Sequence, residues 1–268
     1  MTAALALTAA LATSDAARVD RMIDAAGVAL HIVCAGERQP RAPLVVLEAG
    51  AGNSAATWKD VIGPIAQSAR VCAYDRQNLG SSQQVDAQLT GAGHAAALHA
   101  LLEAAHEPAP YVMAGHSYGG MIVRLFATRY PGEVAAIVLV DSSHEEQVSR
   151  FSILPPPPPA AAPAGTSARE RVDIVATSAE LAAAPWHAGI PLIVLSRGLW
   201  LKTPPAVPDP LAYARLGIWQ DLHRELATRS PQGEVVVASG SGHYIQNDEP
   251  QIVIDAVRRA IARTSPHS

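Results

Sequence analysis

The sequence has little of what marks several classes of protein. It has only two cysteines, Cys34 and Cys72, and neither lies in the spacing of a metal site. Lysine and arginine together number 20 against 24 aspartates and glutamates, without a basic cluster, which argues against a nucleic-acid partner. No apolar run is long enough to cross a bilayer, so we expect no membrane span. Aromatic residues make up 4% of the chain and alanine is abundant, which favours helices packed closely on small side chains.

The first residues differ in composition from the rest. Residues 1–12 are apolar and alanine-rich, as in the core of a signal peptide without a positively charged start, but a frayed leader or first helix fits equally well. We therefore interpret residues 1–17 as a leader or signal-peptide remnant, and we expect either a cytoplasmic or a periplasmic or secreted protein. The expected state of Cys34 and Cys72 depends on this location. Two buried, reduced thiols are the commoner outcome, and a disulfide becomes plausible if the chain is exported.

Apolar runs rich in β-branched residues alternate with helical patterns along most of the chain. Residues 44–47, 70–74, 135–140 and 190–195 have the continuous apolar character of strands buried on both faces. Strands alternating with helices at this spacing predict an α/β fold with a mostly parallel sheet and helices on both faces. The length of 268 residues is within range for a single large α/β unit.

Residues 142–189 break this alternation. They contain a five-proline run at 155–159, then alanine- and proline-rich sequence, then a helical stretch near 179–184. A proline run forms a stiff polyproline II spacer. We interpret the segment as a small Pro-rich lid inserted into a core formed by residues 18–141 and 190–268, with a disordered linker as the alternative.

A Gly-x-Ser-x-Gly motif lies where an apolar strand meets an amphipathic helix. It reads Gly115-His116-Ser117-Tyr118-Gly119. In this context the motif is typical of a nucleophile elbow, in which the serine sits in a strained turn and the glycines let strand and helix pass close to it. We therefore predict that Ser117 is a nucleophile.

A serine nucleophile needs a base and an acid. His243 is the best base, because it follows the last strand in a glycine-rich loop and the base comes last in a sheet enzyme of this order. The acid should follow a strand that lies between Ser117 and His243 in the sequence. Asp141 directly follows the strand at 135–140 and is our choice, while Asp209 is the runner-up. The alternative role for Asp141 is a helix cap.

The reaction also needs two backbone N–H groups for an oxyanion. One should be that of Tyr118, and the other that of Ala51 in the loop Gly50-Ala51-Gly52. This loop lacks the Gly-Lys-Ser/Thr ending of a phosphate-binding loop and does not fit the dinucleotide fingerprint. Glu48, at the end of a buried strand just before it, predicts a structural ion pair with Arg76 or Arg197.

Together these parts resemble the α/β-hydrolase fold family from about Val19 onward. The matching pieces, in their right order, are the 50–52 loop, the run Asp75-Arg76-Gln77-Asn78-Leu79-Gly80-Ser81, the elbow, and Gly242-His243. The resemblance implies an eight-stranded sheet whose second and fourth strands are adjacent, with Cys34 and Cys72 on neighbouring strands. Two departures stand out: Ala49-Gly50 replaces the His-Gly of many members, and no acid follows the strand ending at Leu195.

The sequence thus predicts a serine hydrolase that cleaves carboxylic esters of a small-molecule substrate by acyl transfer and needs no metal or organic cofactor. The candidate pocket walls are Trp58, Trp186, Met121 and Tyr118. Each could equally be core, and for Met121 the core is the favoured interpretation. Lactonase, amidase and cofactor-free perhydrolase activities use the same parts and stay open. A non-catalytic binding module of the same fold is the alternative from another class. The sequence does not indicate an oligomeric state.

Overall fold

A computed structural model describes residues 18–40, 42–156, 169–186, 189–201 and 209–264. The predicted leader and most of the proline run lie outside these residues. Among the helices described, none is both long enough and apolar enough to cross a membrane.

The described residues contain one eight-stranded sheet with the order β1-β2-β4-β3-β5-β6-β7-β8. The pairs β1/β2 and β2/β4 are antiparallel, and every other neighbouring pair is parallel. The fold class and the adjacency of the second and fourth strands are therefore confirmed. The strands are β1 Val19–Ala25, β2 Val28–Ala35, β3 Leu44–Glu48, β4 Val71–Asp75, β5 Tyr111–His116, β6 Val134–Val140, β7 Leu192–Arg197 and β8 Glu234–Ala238.

Helices cover both faces of the sheet, because its central strands are apolar on both sides. All residues of β3, β4 and β5 are buried. Helices α2, α3 and α6 contribute to the core on one face, and α1 and α8 pack on the other. The helices are α1 Lys59–Ala66, α2 Gly91–Ala104, α3 Tyr118–Arg129, α4 Gln147–Phe151, α5 Ile174–Ala183, α6 Pro210–Thr228, α7 Ile245–Asp248 and α8 Pro250–Thr264; a 3-10 turn, Ala55–Trp58, precedes α1.

The segment between β6 and β7 contains two of these helices, α4 and α5. Helix α5 begins five residues before the stretch predicted at 179–184, since Asp173 caps it by accepting a hydrogen bond from the N–H of Ala176 at 2.8 Å. The role of this segment as a lid stays a prediction.

Strands β2 and β4 are also joined covalently. Cys34 is directly opposite Cys72 in the antiparallel register, and the two sulfurs form a disulfide. From the sequence, both reduced thiols and a disulfide were possible. The adjacency of the two strands makes the disulfide geometrically possible.

Candidate active site

Ser117 lies in a strained turn between β5 and α3. Its backbone has φ 51° and ψ −120°, a conformation that L-residues rarely adopt. The two glycines of the motif are required by close packing: a Cβ on Gly119 would lie 2.5 Å from the carbonyl oxygen of Ala49, and one on Gly115 would lie 2.6 Å from that of Gly119. The sequence therefore folds here into the strained strand–turn–helix geometry that the spacing of the motif predicts.

Three predicted residues from three different loops meet at this turn. Nε2 of His243 lies 3.0 Å from Oγ of Ser117, and Nδ1 of His243 lies 2.6 Å from Oδ2 of Asp141. Ser117 follows β5, Asp141 follows β6, and His243 follows β8. The carboxyl ends of parallel strands share one edge of the sheet, which is why His243 comes together with two residues that are more than a hundred positions before it.

Asp141 is completely buried and held on both oxygens. Its Oδ1 accepts hydrogen bonds from Nε1 of Trp219 at 2.7 Å and from the N–H of Arg197 at 3.0 Å. Its Oδ2 accepts one from Nε of Arg197 at 2.6 Å. Burial alone would raise the pKa of this carboxyl, but the charge of Arg197 and the contact with His243 outweigh it and hold the pKa well below its usual range. Asp141 is therefore ionised.

Asp209, the runner-up acid, has a different role. It is the N-cap of α6, where its carboxylate accepts a hydrogen bond from the N–H of Leu211 at 2.9 Å. Helix α4, which follows Asp141, has Glu146 as its N-cap, so the alternative role of Asp141 as a helix cap is not the one observed.

Arg197 is the main participant that sequence reasoning missed. Its guanidinium lies 4.9 Å from the ring centre of Trp200 and 4.7 Å from that of Trp219. Its Nη2 lies 2.8 Å from Nδ1 of His243. An arginine only donates, so a hydrogen bond there requires Nδ1 without its proton, whereas donation from Nδ1 to Asp141 requires the proton. Arg197 therefore competes with Asp141 for the orientation of the histidine.

Both histidines beside Ser117 are held neutral. Burial lowers the pKa of His243 below its ordinary value, and the charge of Arg197 lowers it further, while Asp141 acts in the opposite direction. Burial, with a smaller effect of His243, lowers the pKa of His116 to about 3. Nε2 of His116 donates to the carbonyl of His243 at 2.9 Å. His116 thus supports the loop that carries His243.

The predicted oxyanion loop lies against Ser117. A Cβ on Gly50 would lie 3.2 Å from the Cβ of Ser117. Tyr118 is the first residue of α3, so its N–H has no acceptor within the helix. Both groups with a predicted oxyanion role are therefore near Ser117 in the fold.

A network of ion pairs centred on Arg76 binds the backbone of the predicted oxyanion loop. Arg76 donates to the carbonyl oxygens of Ala49 at 2.6 Å and Gly50 at 2.8 Å. The same guanidinium pairs with Glu48 at 2.5 Å and with Glu170 at 2.6 Å. The pair expected between Glu48 and one of two arginines thus forms with Arg76. Burial would lower the pKa of Arg76, but the two carboxylates outweigh it and raise that pKa well above its ordinary value.

Glu170 connects this network to the segment between β6 and β7. Its Oε2 accepts the N–H of Gly52 at 2.6 Å, while both of its oxygens accept from Arg76. Burial would raise the pKa of Glu170, but Arg76 lowers it, so the carboxylate is ionised. Sequence reasoning did not point to Glu170, because its partners are more than 90 positions away.

A cavity of about 730 Å³ opens at Ser117 and His243. Its apolar lining comes from α4, α6 and the loop after β7, and includes Phe151, Trp200 and Trp219. The predicted walls were wrong in this respect. Trp58 is fully buried in the core beside α1 and α8, Met121 is in the core on the other face, and Trp186 lines a separate surface hollow. Tyr118 is also core, with its hydroxyl 3.1 Å from that of Thr177. The spacing of apolar residues along a helix predicts that they are buried, but it does not predict whether they face the core or a cavity.

One group of described residues has metal-ligating atoms close together, away from Ser117. Cys34, Cys72 and Glu107 each offer an atom within 4.8 Å of the others. The sulfurs are already bonded to each other, and Arg70 pairs with Glu107 at 2.6 Å. These atoms are therefore in use.

Comparison with known proteins agrees with the family resemblance seen in the sequence. A family model for the α/β-hydrolase fold matches residues 42–162. The uncharacterized protein YqjL of Bacillus subtilis is 31% identical over 217 residues, which cover 78% of this chain and 79% of that protein. This chain belongs to the α/β-hydrolase fold family.

Two further similarities concern parts of the chain or the fold alone. A putative carbamate hydrolase, RutD of Yersinia enterocolitica, is 33% identical over 114 residues, covering 42% of this chain and 41% of that protein. An esterase from Thermogutta terrifontis has the same fold, with a TM-score of 0.63 at 19% identity, covering 93% of this hydrolase-fold chain and 99% of the esterase.

Proposed function

We propose that this α/β-hydrolase-fold protein is a serine hydrolase that cleaves carboxylic esters through an acyl-enzyme intermediate. The observation that carries the proposal is the continuous contact from Ser117 Oγ to His243 Nε2 at 3.0 Å and from His243 Nδ1 to Asp141 Oδ2 at 2.6 Å. A serine hydroxyl is a weak nucleophile until a neutral base takes its proton, and the lowered pKa of His243 keeps that base neutral near pH 7.

In the proposed reaction, Ser117 Oγ attacks the ester carbonyl while its proton moves to His243 Nε2. The N–H groups of Ala51 and Tyr118 donate to the oxyanion that forms. Collapse of this intermediate breaks the ester bond, and the imidazolium gives its proton to the departing alcohol. Water then attacks the acyl-enzyme with His243 as base, which releases the acid and restores Ser117. Asp141 orients the imidazole and stabilises its charged form.

We propose that α4 and the loop after it act as one wall of a lid over this site. The support is the set of apolar side chains, Val148, Phe151 and Leu154, that face the same cavity as Ser117. An apolar wall opposite the nucleophile suits an acyl chain, which favours esters as substrates.

The test is hydrolysis of a p-nitrophenyl ester series by wild type and four variants. Ser117→Ala and His243→Gln should each reduce kcat by at least about 10³-fold, because each removes one partner of a concerted proton transfer. Asp141→Asn should reduce kcat by about 10²- to 10⁴-fold. Asp209→Asn is the matched control, since asparagine also caps a helix, and it should keep the wild-type rate.

Other outcomes would redirect the proposal. Loss of activity in Asp209→Asn with Asp141→Asn unaffected would reject Asp141 as the acid. An inert wild type that turns over lactones, amides or carbamates would keep the triad and replace the ester. Failure of a fluorophosphonate to label Ser117 in the native protein would favour a non-catalytic binding module.

A further inference from the structure

Two arginines and no carboxylate line the described part of the cavity beside Ser117. The arginines are Arg197 and Arg215. The local balance differs from the net charge of −4 of the whole chain.

The two arginines differ in how far they are already used. Arg197 pairs with the buried Asp141 through Nε at 2.6 Å. Arg215, on α6, is only 5% exposed, yet its hydrogen bond from Nη2 goes to a neutral acceptor, the carbonyl of Pro155, at 2.7 Å. Within the described part of the chain, no carboxylate pairs with Arg215.

A buried guanidinium without a carboxylate is unusual, because removing a charge from water is costly unless a partner compensates for it. A guanidinium has five N–H donors in a planar fork, and one carbonyl oxygen satisfies few of them. The remaining donors suit a planar carboxylate, which can accept two parallel hydrogen bonds from one arginine.

We propose that Arg215 binds a carboxylate of the substrate, so that the protein acts on esters carrying a free acid group, such as monoesters of dicarboxylic acids. This inference rests on the proposed function and narrows its substrate class. The apolar side chains Phe151, Trp200 and Trp219 line the same cavity and suit the methylene chain between ester and acid. Arg215 is thus a residue that determines specificity.

The test compares monoethyl esters of succinic to suberic acid with the matching neutral compounds, in which a carboxamide replaces the free acid. Ethanol release gives kcat/KM for each, and the alkyl leaving group limits self-hydrolysis by the free carboxylate. We expect wild type to prefer the acid over the amide by at least about tenfold at the best chain length. Arg215→Gln should reduce that ratio to about 1, and Arg215→Lys should keep part of it.

The ratio within one variant is insensitive to partial loss of folded protein. Arg224→Gln, on the exposed side of the same helix, is the matched control and should keep the wild-type ratio. A wild type that hydrolyses acid and amide equally well would overturn the carboxylate site while leaving the proposed esterase intact. The same holds if Arg215→Gln keeps the preference, as expected of an arginine that only supports the chain at Pro155.

A binding measurement separates this inference from the proposed function. The acid and the amide are titrated into Ser117→Ala while the fluorescence of the tryptophans lining the cavity is followed, with no turnover needed. We expect the acid to bind at least about tenfold more tightly, and the difference to shrink with added salt. Equal affinity for the two compounds would overturn the inference even if wild type hydrolysed neither.

Discussion

At the scale of single residues, Arg197 is the unusual neighbour of the proposed triad. It shares Asp141 with His243, so the carboxylate that should orient the imidazole is also the partner of a buried cation. This arrangement keeps Asp141 ionised and makes protonation of His243 less favourable. Arg197 is the last residue of β7, the strand after which the resemblance to the family implies an acid.

Replacing Arg197 should therefore move the pH dependence of the reaction. His243 must be neutral to act as a base, and Arg197 lowers its pKa. In Arg197→Met the pKa should rise, so the acidic limb of the kcat/KM profile should move to higher pH. Arg224→Met, which removes an exposed arginine, should leave the limb where it is. A limb that stays or moves to lower pH in Arg197→Met would refute this electrostatic role.

At the scale of elements, Glu170 connects the segment before α5 to the loop after β3. Its carboxylate accepts hydrogen bonds from Arg76 and from the N–H of Gly52. Gly52 follows Ala51, whose N–H is the proposed oxyanion donor. A small displacement of that loop would misalign the donor, and oxyanion contacts act mainly in the transition state.

Glu170→Gln should accordingly lower kcat by about tenfold with little change in KM, since loss of one oxyanion donor costs about 10²- to 10³-fold and this change acts indirectly. Glu180→Gln is the matched control: Glu180 also joins the β6–β7 segment to the core, but through Ala92 on α2. Equal losses in both variants, or a rise in KM alone, would show general anchoring of the segment instead of positioning of the loop.

Local features of the site were predictable from the sequence, whereas contacts between distant parts of the chain were not. The elbow and the loop of His243 were predictable, because strain, glycine spacing and strand ends are local features. Asp141 was predictable from its place directly after a buried strand, and its catalytic role stays a prediction until tested. Arg197, Glu170 and the cavity side chains were not predictable, because their partners lie on elements distant in sequence. The error with Trp58 has that cause.

At the scale of the whole molecule, the buried histidines connect pH to stability. Burial lowers the pKa of His94 to about 3, with a smaller effect from Arg76, and that of His116 is also about 3. An unfolded chain binds protons near the ordinary value of about 6.5. Between about 6.5 and 3 the unfolded state therefore binds more protons, and stability from these groups is lost as pH falls through that window. His31 acts in the opposite direction. Burial would lower its pKa, but Asp20 and Asp75 outweigh burial and raise that pKa above its ordinary value.

We expect the free energy of unfolding to depend less on pH in His94→Gln than in wild type. From pH 6.5 to 5.5 the difference should be about 1 kcal/mol, since a full pKa unit corresponds to about 1.4 kcal/mol. Urea unfolding at the two pH values measures it. His106→Asn replaces an exposed histidine with φ 58°, which asparagine tolerates, and should retain the wild-type dependence. An unchanged dependence in His94→Gln would contradict the assignment.

The bond between Cys34 and Cys72 has a topological consequence for the end of the sheet that carries Ser117. The two cysteines are 38 positions apart, and the chain between them includes all of β3, the loop Gly50-Ala51-Gly52 and α1. This part of the chain is a covalently closed ring, threaded into the sheet by β3, which lies between β4 and β5. A single protease cut anywhere inside the ring would therefore open it without separating the chain into two pieces, and the proposed oxyanion loop would stay tethered to both halves of the molecule.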